Sequence, residues 1–372
     1  MLRTSTSLLL LTLSLFGCHS HSAPGPQSIA EVKPSTGPHI QSTTVFSCFE
    51  KGLMRAPDKP ASCEPSAIAV HHGRVILGND KPIPGDTRSP VFSLNFDQGI
   101  LSQRPDVFHT ETPFRMARKY EDFTTTPDGR WAFATTGFDR INESDSELDV
   151  FNTLLYWPVD RPSAVSIAQM SSRDGQASSA GLRSEMKRAL ANDKYPEGPP
   201  YWKVEALAAI PGNTLLFGVR EMGKSYEEFS YSTQILALPY SMDENGFQAT
   251  GPIEPVYAFD TSAVPETVAI SGLEYAPETQ TLWLLTSFEL DNTASGVGGY
   301  LWSLKTTGLP LSGKPTLLRQ NDEKPLKFTH KSEGVAPLDT HRLMVIHDDD
   351  RRTGPSLGRE LHQAVLQIVQ IP

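Results

Sequence analysis

Residues 121–139 read EDFTTTPDGRWAFATTGFD, and this stretch shows the unit from which most of the chain is built. A run of small and apolar residues leads into the turn Pro127–Gly129, and a strongly apolar run rich in aromatic and β-branched residues follows. Two strand-like runs joined by a short Pro/Asp/Gly turn predict an antiparallel hairpin whose second strand is buried.

The same pattern occurs four more times along the chain. Each copy crosses a tight turn (HHG, PGN, PET or LDT) and then enters an apolar run. The five copies begin 57, 84, 66 and 62 residues apart, which is the spacing of a repeated supersecondary unit. The other four copies are residues 64–80, 205–221, 271–289 and 333–350.

Further strand-like runs follow each hairpin and complete a four-stranded unit. Four antiparallel strands repeated in this way predict an all-β fold, a β-propeller with five blades. Six blades, if one repeat has diverged, and a two-domain β-sandwich are the alternatives. Runs in the third position are 91–96, 153–159, 234–238, 300–302 and 364–371, and runs in the fourth are 107–109, 164–169, 255–259 and 315–319.

The length of 372 residues and the composition fit such a domain. Hydrophobic residues make up 38% of the chain, which supplies a core and argues against disorder. Thirty prolines and 27 glycines indicate many turns. A formal net charge of −10 argues against nucleic-acid binding and against a general affinity for anionic lipid surfaces, since both require a basic surface.

The N-terminus is typical of an exported protein. An apolar run over residues 8–16 is too short to span a bilayer and predicts a secretory signal. Residues 15–18 (LFGC) resemble the lipobox of bacterial lipoproteins, which implies a signal peptide over 1–17, lipidation of Cys18 and a lipid anchor as the only membrane attachment. The resemblance implies the bacterial cell envelope, and His19 favours the outer membrane. An ordinary signal peptide is the alternative.

The remaining N-terminal segment connects this anchor to the propeller. Residues 18–42 are rich in Pro, Ser and Gly and predict a flexible tether, so that 43–372 form the propeller domain. The strand-like run 43–49 would supply the fourth strand that the last repeat lacks and would close the ring. Cys48 and Cys63 are an even pair in an exported chain and predict a disulfide; two buried thiols are the alternative.

The first residue of the repeat is acidic in four of its five copies, and Ser271 stands there in the remaining one. A hairpin brings the start of its first strand beside the end of its second, so these carboxylates should converge with Asp348 at one mouth of the channel. Hard oxygen ligands favour a divalent cation, Ca²⁺ first, over zinc. The predicted ligands are Glu64, Glu121, Glu205, Glu333 and Asp348.

Basic residues beside the same rim leave a second interpretation open, in which the carboxylates form a structural ring neutralised by internal counter-ions and backbone amides. Arg140 and Arg220 would, in a functional site, orient an anionic group of a ligand. His347 ends a buried strand and would act as a general base, or else as a hydrogen-bonded rim residue. Other basic residues at this rim are Lys81, His330 and Lys331.

The topology places the longest and most charged loops above this rim, at residues 139–149, 220–231 and 347–363. An insertion at about 171–204 precedes the third copy of the repeat. Within it Leu182, Met186 and Leu190 recur every four residues and predict a helix over 181–192, either a lid over the mouth or a packing element.

The segments KSEGVA (331–336), LMVIHDD (343–349), EALA (205–208) and LLFGVRE (215–221) resemble the repeats of the phytase-like, esterase-like propeller family of exported bacterial proteins. The resemblance implies a propeller with an acidic channel and calcium-assisted hydrolysis of phosphate or carboxylic esters. We therefore expect a metal-dependent hydrolase of a small anionic ester. The alternative is a non-catalytic envelope module that binds a glycan, a peptide or a partner protein through the same loops.

Overall fold

The computed structural model describes residues 37–142, 144–243, 246–291, 293, 295–352 and 357–371. The predicted signal peptide, Cys18 and most of the tether lie outside these residues. In the described part, two short α-helices, α1 (Thr112–Met116) and α2 (Gly181–Ala189), and two 3₁₀ helices (Asp149–Phe151 and Pro162–Ala164) accompany many strands. No helix in this part is long and apolar enough to span a membrane. The predicted all-β fold is confirmed.

The strands follow the predicted hairpins in chain order. The N-terminal strands are β1 (His39–Ser47), β2 (Met54–Ala56) and β3 (Lys59–Pro60). Blade 1 contains β4 (Pro65–His71), β5 (Arg74–Asn79), β6 (Val91–Asp97), β7 (Ile100–Leu101) and β8 (Val107–Phe108). Blade 2 contains β9 (Tyr120–Thr125), β10 (Trp131–Thr136), β11 (Leu154–Pro158) and β12 (Ser166–Ile167), and the small hairpin β13 (Ser171–Arg173) and β14 (Gln176–Ser178) follows.

The second half of the chain supplies three further blades. Blade 3 contains β15 (Tyr201–Ile210), β16 (Thr214–Ser225), β17 (Glu228–Asp243), β18 (Gly246–Ala249) and β19 (Glu254–Tyr257). Blade 4 contains β20 (Ala269–Ala276), β21 (Thr281–Glu289), β22 (Val297–Lys305), β23 (Thr316–Leu317) and β24 (Lys327–Phe328). Blade 5 contains β25 (Ser332–Asp339), β26 (Arg342–His347) and β27 (Gln363–Gln370).

Each blade is an antiparallel sheet in which the first strand of the repeat is innermost. The five innermost strands, β4, β9, β15, β20 and β25, pack against one another in this order, and β25 packs against β4. The ring therefore has five blades, as predicted, and the six-blade and two-domain alternatives are excluded.

The N-terminal strand closes the ring. Strand β1 pairs antiparallel with β27 from His39 opposite Gln370 to Ser47 opposite Gln363, and becomes the outermost strand of blade 5. It begins four residues earlier than the predicted start at 43. Cys48 and Cys63 form the predicted disulfide, with a Cα–Cα distance of 5.7 Å. This bond ties the end of β1 to the segment that enters β4, so that blade 5 is covalently linked to blade 1.

Glycines let neighbouring innermost strands approach closely at the mouth. A Cβ atom at Gly272 would lie 2.7 Å from the carbonyl oxygen of Glu333, and one at Gly334 would lie 2.7 Å from the carbonyl oxygen of Ser66. Such distances would displace backbone, so these positions require glycine. Each follows the first residue of its repeat, which fixes where the polar residues at the rim stand.

Helix α2 belongs to the core between blades 2 and 3. Leu182, Met186 and Leu190 are buried in one apolar cluster with Trp202 and other residues of these blades. The guanidinium carbon of Arg183 lies 3.9 Å from the centre of the Trp202 ring, which is a cation–π contact. The predicted helix is confirmed, although it ends at Ala189 and not at residue 192. Its apolar side chains pack in the core, as expected of a packing element and not of a lid over the mouth.

Candidate functional site

The structure brings the predicted glutamates together at one end of the channel. Glu64, Glu121, Glu205 and Glu333 stand at the starts of innermost strands or within them, and all four are buried. The backbone N–H of Glu64 donates to Asn79 Oδ1 at 2.6 Å, which joins the beginning of β4 to the end of β5 as the hairpin topology requires.

Lysines and an arginine separate these glutamates. Lys203 Nζ lies 3.5 Å from Glu121 Oε1 in blade 2 and also binds Glu205 in its own strand. Arg220 Nε lies 3.0 Å from Glu205 Oε2. Lys119 Nζ lies 3.6 Å from the same oxygen, Glu121 Oε1, and 2.6 Å from Asp139 Oδ2. Around blades 2 and 3 the rim is thus a chain of alternating charges.

Blade 4 joins this chain through another residue, because Ser271 stands where the other blades have glutamate. Glu289, at the end of β21, lies 3.6 Å from Arg220 Nη2 and 2.9 Å from Lys331 Nζ. Lys331 Nζ in turn lies 2.9 Å from Glu333 Oε1. Glu289 therefore takes the place of the missing glutamate.

The charges of this chain set the protonation of its glutamates. Burial alone would raise the pKa of Glu205, but Arg220 and Lys203 override it and lower the pKa to about 2. Burial raises the pKa of Glu333 to about 8, with Lys331 opposing the shift and Glu205 adding to it. Burial also raises the pKa of Glu121 well above its usual range, although Lys203 and Lys119 oppose this.

A second group of carboxylates lies between blades 1 and 5. Glu64, Asp80 and Asp348 each offer an oxygen within 4.8 Å of the others, and in the described part of the chain no other three Asp, Glu, His or Cys side chains come this close. Oxygens bound to one Ca²⁺ at about 2.4 Å lie up to about 4.8 Å apart. Asp80 Oδ1 is buried and has no hydrogen-bond partner among the described residues. The donor set therefore fits a hard cation.

Electrostatics at this group combine repulsion between its carboxylates with two internal counter-ions. Burial raises the pKa of Asp348 well above its usual range, and the neighbouring charges of Asp350 and Glu64 raise it further. Lys81 binds Asp80 and lies 3.5 Å from Glu64 Oε2, and Arg351 Nε lies 3.0 Å from Glu64 Oε1. These two cations are the internal counter-ions of the group.

The five predicted ligands thus divide into two sets. Glu64 and Asp348 come together, and the structure adds Asp80, an acidic residue at the end of β5 that the same hairpin argument could have selected. The others, Glu121, Glu205 and Glu333, belong to the chain of alternating charges and form no group of three carboxylates among the described residues.

The side chain of His347 points into blade 5 and not into the mouth. Its side chain is 1% exposed, Nε2 lies 3.1 Å from Gln367 Oε1, and the rings of Phe328 and His330 lie 5.5 and 5.3 Å away. Burial, together with the charge of His330, lowers the pKa of His347 to about 3. A general base must reach a water or a substrate, so the structure corrects this assignment to the alternative, a hydrogen-bonded residue.

The two predicted arginines differ in how exposed their side chains are to solvent. Arg220 is 1% exposed and its guanidinium is occupied by Glu205, Glu289 and Ser287 Oγ at 2.7 Å, so it holds the ring together and cannot orient a ligand. Arg140 is 47% exposed and packs 4.5 Å from the centre of the Phe151 ring. It remains available at the surface.

Arg140 lines a cavity of about 620 Å³ above blades 2 and 3. Strand β15 begins at Tyr201, four residues before Glu205, so this blade extends roughly 13 Å beyond the glutamate at about 3.3 Å per residue. The predicted loop 220–231 is largely a continuation of β16 and β17, with Gly223 opposite Phe229. The cavity is lined by Lys119, Asp139, Arg140, Tyr201, Lys203, Glu221, Tyr226 and Phe229.

Fold and rim together define the chain as a five-bladed β-propeller with a charged mouth. No protein-family model and no curated protein matches it. Solved structures similar to it include a Penicillium chrysogenum α-L-arabinanase complexed with arabinobiose (8% identity, 89% of this chain and 98% of that chain, TM-score 0.45) and a Podospora anserina α-L-arabinofuranosidase complexed with cellotriose (10%, 88% and 94%, 0.40). A luciferin-regenerating enzyme is another (12%, 88% and 95%, 0.37). Similarities of this size carry no argument about activity.

Proposed function

We propose that this propeller is a divalent-cation-dependent hydrolase of phosphate or carboxylic esters. The observation that carries the proposal is the group Glu64, Asp80 and Asp348, which each offer an oxygen within 4.8 Å of the others, and in which Asp80 also has an unpartnered buried oxygen, Oδ1. Carboxylate oxygens are ligands of Ca²⁺, and other divalent cations share this preference. A cation held there would polarise a phosphoryl or carbonyl oxygen and lower the pKa of a water.

Residues around the group would support this activity. The side chain of Lys81 is 27% exposed and can turn into solvent when a cation replaces its ammonium group. Arg140, which is 47% exposed and lines the neighbouring cavity, would donate hydrogen bonds to a polar part of the ester outside the reacting group. The carboxylate group and the cavity lie near each other. Glu121 contacts Lys119 and Lys203 of the cavity, and the charge of Asp80 contributes to the raised pKa of Glu121.

The proposal includes the cellular context. The lipobox-like LFGC segment supports export and lipidation at Cys18, with the bacterial envelope, and its outer membrane first, as the location. The Cys48–Cys63 disulfide supports an oxidising compartment. The substrate would then be a small anionic ester or an envelope component, and the resemblance to phytase-like propellers supports ester hydrolysis.

Calcium titration after treatment with a chelator tests the cation. At calcium about 100-fold above Kd the free energy of unfolding should rise by about 2.7 kcal/mol. Asp80→Asn should abolish this gain, whereas the same substitution at the exposed Asp97 should preserve it. Lys81→Met should strengthen calcium binding, because it removes the competing ammonium group. No stabilisation of the wild-type protein by any divalent cation would refute the proposed site.

Turnover on a panel of phosphate monoesters, carboxylic esters and lactones tests the reaction. Hydrolysis that requires the cation and is lost in Asp80→Asn would support the enzyme. Cation binding without turnover would instead favour a non-catalytic envelope-binding propeller, which the aromatic cavity beside the site also suits.

A further inference from the structure

The cavity above blades 2 and 3 has two chemically different walls. Tyr201, Tyr226 and Phe229 form one wall, on the extended strands of blade 3 and on the turn that joins β16 to β17. Tyr226 is 69% exposed and Phe229 is 37% exposed, and the Phe229 ring lies 6.1 Å from that of Tyr201. Aromatic side chains at the surface of a concave site present a flat apolar face for a ligand to pack on.

The opposite wall mixes hydrogen-bond donors and acceptors. Arg140 donates through Nε to Asp139 Oδ2 at 3.3 Å, and its terminal nitrogens have no acidic partner among the described residues. Asp139 Oδ1 is buried and has no hydrogen-bond partner in the same part of the chain. The site therefore offers free donors beside an unpartnered acceptor, which a ligand hydroxyl reaches when the Asp139 side chain, 6% exposed, turns toward the cavity.

This combination distinguishes between ligand classes. A phosphate or carboxylate can accept from Arg140 but has no hydrogen for Asp139, and the two lysines of the lining are already paired, Lys119 with Asp139 and Lys203 with Glu205. Hydroxyl groups both donate and accept, so neighbouring hydroxyls can satisfy both side chains. The C–H groups on the flat side of a sugar ring can pack on the negative face of an aromatic ring.

We infer that this cavity binds a sugar ring, with one face on Phe229 and Tyr226 and its hydroxyl groups on Asp139 and Arg140. Its volume of about 620 Å³ accommodates one or a few sugar units. The inference rests on the proposed function only in making the sugar the alcohol part of the ester; binding itself requires neither the cation nor hydrolysis.

The test uses chelator-treated protein, so that binding is measured apart from the proposed reaction. The probes are a neutral-saccharide array of pentose, hexose and N-acetylhexosamine units, with calorimetric titration of the saccharides retained. Phenyl phosphate is the anionic comparison probe. We expect at least one neutral saccharide to bind and phenyl phosphate not to compete with it.

Variants of Phe229 test the position of the sugar. Phe229→Leu removes the flat face but keeps apolar bulk and should weaken saccharide binding about tenfold, whereas Phe229→Tyr should bind as wild type does. Ile100→Ala, at an exposed residue of blade 1, is the control and should change nothing. Absence of neutral-saccharide binding, preference for phenyl phosphate, or equal binding by Phe229→Leu would each overturn the inference. Calcium binding and ester turnover could still succeed in that case, so the two proposals fail separately.

Discussion

Replacing Asp122 by alanine should destabilise the whole ring. Asp122 is fully buried on β9 in blade 2, and its Oδ2 accepts hydrogen bonds from the backbone N–H groups of Leu207 at 2.8 Å and Leu273 at 3.0 Å. These residues lie on β15 and β20, in blades 3 and 4. Because blades 2 and 4 are not neighbours in the ring, this one carboxyl group connects three blades across the channel.

The size of the effect follows from these contacts. Alanine at 122 leaves two buried inter-blade N–H groups without their acceptor, and each costs about 1–3 kcal/mol. The expected loss is therefore about 2–6 kcal/mol, against a total stability of about 5–15 kcal/mol for a typical domain. Asp122→Asn keeps one acceptor oxygen and should lose less.

Urea unfolding at pH 7, followed by tryptophan fluorescence, measures the loss. Asp97→Ala removes an exposed aspartate of blade 1 and should stay within about 0.5 kcal/mol of the wild-type value. If Asp122→Ala also stayed within that range, the inter-blade hydrogen bonds would contribute no net stability and the reasoning would be wrong.

Three further outcomes are expected. The double variant Cys48→Ala/Cys63→Ala should lose about 3 kcal/mol, because its disulfide closes a loop with a sequence separation of 15; an unchanged urea midpoint would contradict this. Leu182→Ala should lower thermal stability by about 2–5 kcal/mol if α2 is a core element, and a negligible change would mark it as peripheral. Burial raises the pKa of Glu274 well above its ordinary 4.5, so above that pH the native state keeps a proton that the unfolded state releases. Stability should therefore fall as pH rises from about 4.5, and less steeply in Glu274→Gln; equal slopes in chemical unfolding would refute this.

The parts of the fold that could be predicted depend on local patterns. The run 121–139 contains both strands and the turn of its hairpin, and the spacing of five such runs is enough for a five-bladed ring. The last repeat lacks a fourth strand, and the strand-like run 43–49 lies outside the five repeats. The sequence therefore predicts that this run pairs with the last blade. The sequence of 220–231 predicts a loop and not strands, because its charges conceal the alternation of a strand and no Gly or Pro stands at the turn around Tyr226.

The sequence predicts which residues lie at the rim but not which side chains they contact there. Repeat position places Glu121 and Glu205 at one rim, yet the contact between Glu121 and Lys203 joins residues of different blades and depends on how those blades approach. His347 illustrates the same limit, since a strand that ends at the mouth can still direct its last side chain into the blade toward Gln367. Side-chain direction and inter-blade distance are not encoded in a single hairpin.

Closure by β1 also imposes an order of events on folding. Gln367 of β27 donates a hydrogen bond to Thr43 of β1 across a separation of 324 residues. During synthesis or export from the N-terminus, β1 emerges first and has no strand to pair with until β27 follows. Its unpaired edge is open to other chains for that whole interval, and a pairing of such long range is intrinsically slow. A cell that makes this protein would therefore have to protect the earliest strand for longer than any other.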